Sequence, residues 1–213
     1  MILPFTREEF LGVFAQYNSF AWPASILAYL LAALVIVALV LRWRSAPQLL
    51  FTALALMWAW TGIFYHMSYF SVINTAAWGF GALFLIGAAV FAWASRGSVS
   101  LQTVLWDGWT SALGWVFVAY AMIAYPLIGI ALGHRYMDLP QFGVTPCPVT
   151  LFTLGSLLFL RGPLPWGVFA APVLWSLIGG SAAFLLGVPQ DWLLLFSGVL
   201  TVAAIYMSHK VAT

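Results

Sequence analysis

The sequence predicts an all-α fold, a polytopic bundle of transmembrane helices that forms one integral membrane domain over residues 1–213. Only 6 % of the residues are charged and 64 % are apolar. The charged residues stand between apolar blocks close to the ~20 residues that a helix needs to cross hydrocarbon. Apolar residues do not alternate with polar ones within these blocks, which argues against half-buried strands.

Seven apolar blocks fill residues 22–208, and each predicts one transmembrane helix. The fifth block is the shortest, at about 16 residues, whereas the others come close to a full crossing. The predicted spans are 22–42, 48–70, 73–95, 111–133, 146–161, 163–186 and 190–208.

Residues 1–21 predict a short amphipathic helix that lies on the outer surface of the membrane. Thr6 and Glu9 have the spacing of a capping box, in which each residue bonds the backbone amide of the other. Apolar side chains then recur at helical spacing, which is typical of an interfacial helix. They are Phe10, Val13, Phe14 and Tyr17.

The distribution of Lys and Arg predicts an orientation with the N-terminus outside and the C-terminus inside. Five cations fall on one side of the predicted bundle and two on the other, and the richer side faces the cytoplasm. The five are Arg42, Arg44, Arg96, Arg161 and Lys210, and the two are Arg7 and Arg135.

An internal repeat is a further hypothesis. A gapless overlay that places Trp60 on Trp175 also places Ala88 on Ala203 and Ala89 on Ala204. Spans two and three would then repeat as spans six and seven, with span four as a linker. This parallel 3+1+3 layout resembles, in topology alone, the SWEET sugar transporters, which place their site near the midplane between the halves.

Six polar residues are predicted to approach the outer membrane surface, where they would form a substrate-binding vestibule. An ionisable residue at membrane depth is paired, reaches the interface or lines a cavity. In this hypothesis His66 is a hydrogen-bonding or ligand group, Arg135 and Asp138 form a gate pair, and Cys147 is a soft contact. The alternative is that all are ordinary loop and interface residues. The six are His66, Asn74, His134, Arg135, Asp138 and Cys147.

Cys147 stands between two prolines, after Thr145 as a candidate helix cap. A thiol in the first turn lies at the positive end of the helix dipole, and soft metals favour sulfur and imidazole ligands. Cys147, His66 and His134 are therefore candidate metal ligands, and the two histidines are candidate haem ligands. The alternative is a small packed residue at a proline turn. The cofactor stays unknown.

Several function classes are excluded by what the sequence lacks. A net charge of +2 and the absence of a basic run argue against nucleic acid as a partner. No nucleotide-binding or hydrolase motif occurs, so no enzyme activity is expected. Retinal needs a lysine within the last span, and the only lysine, Lys210, lies beyond it. Asp107, Asp138 and Asp191 stand at predicted span edges, which argues against a proton pump.

Several segments resemble a bacterial membrane family called domain of unknown function 6064. The resemblance covers nearly the whole chain, and the Thr-Pro-Cys-Pro stretch is its most specific part. Thr75 stands where the family pattern has proline. The family has no established activity, so the resemblance implies a bacterial cytoplasmic membrane protein without supplying a ligand. The segments are 3–10, 14–18, Tyr65-His66, 73–77, 80–84, 133–136 and 142–148.

The sequence thus favours a permease for a small solute or metal ion. One alternative is an accessory subunit that holds haem or copper in a membrane redox complex. Another is a non-catalytic structural protein whose partner covers the outer face. We expect the protein to lie in the lipid bilayer, either as a homo-oligomer or as part of a larger membrane complex.

Overall fold

The structure is nearly all-helical. This computed structural model describes residues 4–97, 100–106 and 108–211. Two short strands, β1 (Gln102–Thr103) and β2 (Leu160–Arg161), pair antiparallel. The main helices are α1 (Arg7–Val40), α2 (Ala46–Val72), α3 (Ala77–Gly97), α4 (Gly108–Ala131), α5 (Pro146–Leu157), α6 (Gly167–Leu185) and α7 (Trp192–Val211).

Six of these helices are long and apolar enough to cross a membrane, which indicates a membrane protein. They coincide with six of the seven predicted spans. The fifth differs, because α5 has only 12 residues and each of them is buried. At ~1.5 Å per residue it is about 18 Å long, shorter than the hydrocarbon core. The predicted span 146–161 is therefore a short central helix followed by a buried extended segment.

The predicted surface helix over residues 1–21 is not separate from the first span, because α1 runs without a break from Arg7 to Val40. Phe14 and Tyr17 are buried against the bundle instead of facing the membrane interface. Pro23 lies within the helix without ending it. The apolar stripe therefore packs against protein, and its spacing alone could not distinguish the two environments.

The predicted capping box at the start of α1 is confirmed. The backbone amide of Glu9 donates to Oγ1 of Thr6 over 3.2 Å, and the backbone amide of Thr6 donates to Oε2 of Glu9 over 2.7 Å. Both donors would otherwise lack an intrahelical partner at this terminus.

The second helix changes its winding before it ends. α2 is α-helical to Trp60, π-helical over Thr61–Tyr69 and 3-10 helical over Phe70–Val72. A Cβ on Gly62 would lie 3.1 Å from the carbonyl oxygen of Gly81 in α3, so the two backbones are in close contact here. The π-helical turns bury both Tyr65 and His66, and π-helical segments are frequent at functional sites.

α5 lies at the centre and packs against α2, α4, α6 and α7. Trp58 of α2 donates from Nε1 to the Thr153 hydroxyl over 2.9 Å. After α5 the chain stays buried to Leu160, and Arg161 donates to the carbonyls of Leu158 (2.8 Å) and Leu160 (3.1 Å). Because buried carbonyls need partners, these bonds and the β1–β2 pair allow the chain to leave the helix inside the protein.

The bundle has two ends, which we name after the arginines that they carry. The Arg7 end holds the start of α1 and the loops 73–76, 132–145 and 186–188, and Arg7 donates to the Gly187 carbonyl over 3.5 Å. The Arg42 end holds the α1–α2 turn and the strand pair.

The two hairpins of the predicted repeat, α2–α3 and α6–α7, are both present and contact each other through α3 and α6. They differ in detail, because α2 contains the π-helical segment whereas α6 contains Pro172. The repeat and the orientation in the membrane stay predictions.

Substitution of Gly155 is expected to destabilise the fold. A Cβ there would lie 2.8 Å from the backbone oxygen of Gly114 and 2.9 Å from Cβ of Phe117. Gly155→Ala should lower the free energy of unfolding in detergent by about 1–3 kcal/mol, because the crossing of α4 and α5 must open. The control is Gly79→Ala at an exposed position of α3, where a Cβ meets nothing within 4 Å. Equal stability of the two variants would contradict this close helix contact.

Candidate functional site

A cavity of about 210 Å³ lies at the Arg7 end, among α1, the π-helical part of α2, the start of α5, and α6. We call it the His66 cavity. Its walls are mostly aromatic, with a few neutral polar groups. Among the residues that line it are His66, Asn74, Phe80, Cys147, Trp175 and Ser181.

His66 is fully buried in this wall, at 0 % exposure. Its ring centroid lies 4.8 Å from that of Phe84 and 4.9 Å from that of Trp175. Neither imidazole nitrogen has a hydrogen-bond partner among the described residues. Leaving a buried polar group unpaired costs about 1–3 kcal/mol, so an orphaned imidazole beside a cavity calls for a functional explanation.

A buried carboxyl lies next to this cavity. Asp191 is only 2 % exposed and ends the 3-10 turn Pro189–Asp191 that leads into α7. The hydroxyl of Tyr125 donates to its Oδ1 over 2.6 Å. The same loop is held by Tyr120, whose hydroxyl donates to the Gln190 carbonyl over 2.9 Å. α4 therefore fixes the position of the carboxyl through two neighbouring tyrosines.

Cys147 lies between the His66 cavity and the Asp191 carboxyl. Its side chain lines the His66 cavity and also a narrow cleft of about 20 Å³, whose other walls include Arg7, His134 and Asp191. The thiol lies within hydrogen-bonding reach of the side chains of Asp191, Tyr125 and Trp175. Trp175 Nε1 nevertheless completes no hydrogen bond within the described chain.

The structure brings together three of the six predicted vestibule residues, His66, Asn74 and Cys147. Asn74 also has a structural role, since its Oδ1 accepts from the Ala76 amide (3.1 Å) just before α3 begins. His134 lines the neighbouring cleft instead.

The predicted gate pair lies outside the His66 cavity. Arg135 is exposed and Asp138 is half-buried. The backbone amide of Asp138 donates to the Arg135 carbonyl over 2.9 Å. The two residues shape the turn before α5.

The candidate metal ligands do not form one centre. Within residues 4–97, 100–106 and 108–211, no group of three or more His, Cys, Asp or Glu side chains is placed to hold a metal ion. His66 and His134 line different spaces.

Two polar residues of α1 hold the loop before α5. The Tyr17 hydroxyl donates to the Val144 carbonyl over 2.7 Å. Asn18 donates from Nδ2 to the carbonyls of Met137 (2.7 Å) and Leu139 (2.8 Å). The candidate cap Thr145 does stand at the N-cap of α5, but its hydroxyl donates to the Gln141 carbonyl over 2.7 Å. These polar residues support the site without lining it.

Comparison with known proteins identifies the family. The sequence profile of a family of unknown function, DUF6064, matches residues 7–213. The chain belongs to this family. No curated protein and no solved structure matches it. The DUF6064 match covers all seven helices and confirms the resemblance seen in the sequence.

Sequence reasoning about this DUF6064 chain missed Asp191, Tyr125 and Trp175. Asp191 carries the clearest signal, because it is the only acidic residue after Asp138 and stands at the start of the last apolar block. Trp175 was indistinguishable from the many tryptophans that anchor membrane helices. Tyr125 gave no signal beyond the following Pro126.

The bond between Tyr125 and Asp191 can be tested against a neighbouring bond. Tyr125→Phe should lower the free energy of unfolding in detergent by about 1–3 kcal/mol, since a buried carboxyl loses its donor. Tyr120→Phe is the matched control and should cost less, because Tyr120 is only half-buried and its lost acceptor is a neutral backbone carbonyl.

A double-mutant cycle with Asp191→Asn isolates the pair. We expect a coupling energy of about 0.5–3 kcal/mol between positions 125 and 191 and less between positions 120 and 191. Additive effects at 125 and 191 would contradict the assigned contact.

Proposed function

We propose that this DUF6064 protein is a multi-pass membrane protein that binds a small solute in the His66 cavity and acts as its permease. The observation that carries the proposal is the buried, unpartnered imidazole in the wall of a 210 Å³ cavity. A buried polar group without a partner in the protein gains most when a ligand supplies one.

Charge supports an orientation in which this cavity opens to the outside. Arg42, Arg44 and Arg96 are exposed at the Arg42 end, and Arg161 caps the segment after α5 there. The Arg7 end holds Arg7 and Arg135. Positively charged loops stay in the cytoplasm, so we place the Arg42 end inside, in the cytoplasmic membrane of a bacterium.

The irregular geometry of the helices around α5 supports a conformational change during transport. α4 is π-helical over Tyr120–Ala124 just before Pro126, and α6 contains Pro172. The π-helical part of α2 lines the cavity, and Tyr120 of the π-helical turn in α4 donates to the Gln190 carbonyl beside Asp191. Transporters use discontinuous helices at their sites, where freed backbone groups line a cavity. The chain between the His66 cavity and the Arg42 end is buried throughout α5 and to Leu160, so release to that side requires rearrangement.

The orientation is tested with single cysteines in a Cys147→Ser background. Thr75→Cys and Ser45→Cys place exposed thiols at the Arg7 and Arg42 ends. In intact cells a membrane-impermeant maleimide should label position 75 at once and position 45 only after permeabilisation. The parent Cys147→Ser protein is the unlabelled control. The reverse pattern would place the cavity on the cytoplasmic side.

The permease step is tested with Cys147, the only cysteine of the chain. A permease must expose its site to each side in turn, whereas a receptor exposes it to one. In oriented proteoliposomes, the impermeant reagent 2-(trimethylammonium)ethyl methanethiosulfonate should modify Cys147 from both sides, and more slowly from the Arg42 side. Intact-protein mass measures the rate, and Cys147→Ser is the control.

Modification from the Arg7 side alone would overturn the permease step and leave a binding protein. Absence of modification by this cation from either side, together with absence of modification by the neutral methyl methanethiosulfonate, would overturn the cavity as a solute site.

A further inference from the structure

The walls of the His66 cavity carry no formal charge among the described residues that line it. They are apolar and aromatic side chains, with Asn74, Ser181, Cys147 and the orphaned His66 as neutral polar groups. Burying an ion without a countercharge is costly, because it loses its hydration and gains no partner. The nearest carboxyl, that of Asp191, lines the neighbouring cleft and already accepts a hydrogen bond from Tyr125. The composition of the cavity walls therefore favours an uncharged ligand over an ion.

The volume limits the ligand to about one ring. A dry apolar cavity of about 150 Å³ in another protein holds benzene. The His66 cavity, at about 210 Å³, is larger by the volume of a few ring substituents. The walls also suit a ring, because Phe80 and Trp175 meet at 74° with centroids 5.3 Å apart, the edge-to-face geometry that aromatic groups adopt.

The orphaned nitrogens define the polar part of the ligand. An indole N–H can only donate, and a neutral imidazole carries one donor and one acceptor. The rings of His66 and Trp175 lie side by side, with centroids 4.9 Å apart, and none of their nitrogens has a partner in the described chain. Two adjacent unused donors are matched by oxygen lone pairs. The two imidazole nitrogens of His66 and Nε1 of Trp175 are covered by neighbouring protein atoms. Binding therefore includes a small shift of a neighbouring ring.

We infer that the solute of the His66 cavity is an uncharged, single-ring molecule whose carbonyl or hydroxyl oxygen accepts hydrogen bonds from His66 and Trp175. The inference rests on the proposed function, because it names the ligand of the same cavity. Such a ring occurs either as a free small molecule or as the headgroup of a molecule with a lipid-soluble tail. The cavity would recognise the same ring and oxygen in both.

Protection of Cys147 reports on occupancy. The purified full chain in lipid nanodiscs is treated with methyl methanethiosulfonate, and intact-protein mass gives the rate of modification. Duroquinone, a fully methylated ring with two carbonyl oxygens, should slow the reaction about tenfold more than durene, the same methylated ring without oxygens. Tetramethylbenzoate, the charged relative, should not protect. A decyl-tailed quinone tests whether the ring also enters from the bilayer.

Two variants assign the donors. His66→Phe keeps a ring and removes both nitrogens, and Trp175→Phe removes the indole N–H. Each should bring duroquinone protection down to the level of durene, whereas Trp22→Phe, on an exposed part of α1, should leave it unchanged. The comparison of the three compounds on the unaltered chain needs no variant, so the inference can be judged even if a variant fails to fold.

Equal protection by durene and duroquinone, or protection by the benzoate, would overturn the inference and keep the cavity as a binding site. Retained protection in both ring variants would overturn the assignment of the donors. If Cys147 is not modified at all in the empty protein, the proposed function itself fails. Protection by duroquinone beyond that given by durene supports the inference, and the ratio of protection by the tailed quinone to protection by duroquinone identifies the source of the ring.

Discussion

The complete burial of one central stretch of chain is the constraint on which the rest of the structure depends. Every residue from 139 to 160 is buried, including the loop before α5 and the extended segment after it. A helix satisfies its own backbone, but its ends and the adjoining loops do not. The surrounding helices must therefore supply hydrogen bonds at both ends of α5, and they can do so only from fixed positions.

The backbone groups at the two ends of α5 obtain their hydrogen bonds in different ways. At the Arg42 end the protein uses one guanidinium and a strand pair, so that Leu158, Phe159 and Leu160 all find donors for their carbonyls. At the Arg7 end it uses the side chains of Tyr17 and Asn18 from α1. The first end is held mainly by a guanidinium and main-chain pairing, whereas the second is held by side chains of α1. Cavities lie beside α5 at both ends, but only the one at the Arg7 end is lined by the unpartnered His66 and by Cys147.

Sequence reasoning succeeded where a signal depended on local chemistry. The Thr6–Glu9 capping box was predicted residue by residue, because its two bonds need only four consecutive residues. The six long helices followed from block length. The structure places His66, Asn74 and Cys147 beside one cavity, because alternate crossings return each loop to the same end of a bundle.

Other features depend on which face of a helix contacts protein and which contacts lipid. Both environments are apolar, so hydropathy does not distinguish them. The stripe around Phe14 and Tyr17 would suit a membrane surface as well as a protein core. α5 was read as a span because its side chains are apolar, although Thr150, Thr153, Gly155 and Ser156 are the small and hydroxyl residues that favour helix contacts. Asp191 was treated as an edge residue, since only the fold shows that Tyr125 covers it.

The position of Cys147 joins these observations into one arrangement. As the second residue of α5, it is fixed by the most constrained element of the protein, yet it borders both the His66 cavity and the Asp191 cleft. A ligand that enters the cavity therefore meets a rigid helix end on one side and, on the other, the π-helical part of α2, where His66 is held by packing without a hydrogen bond. Because α5 is fully buried and packs against four helices, the proposed function assigns movement on binding to α2 or α6. Both of these helices carry the irregular geometry that makes such movement inexpensive.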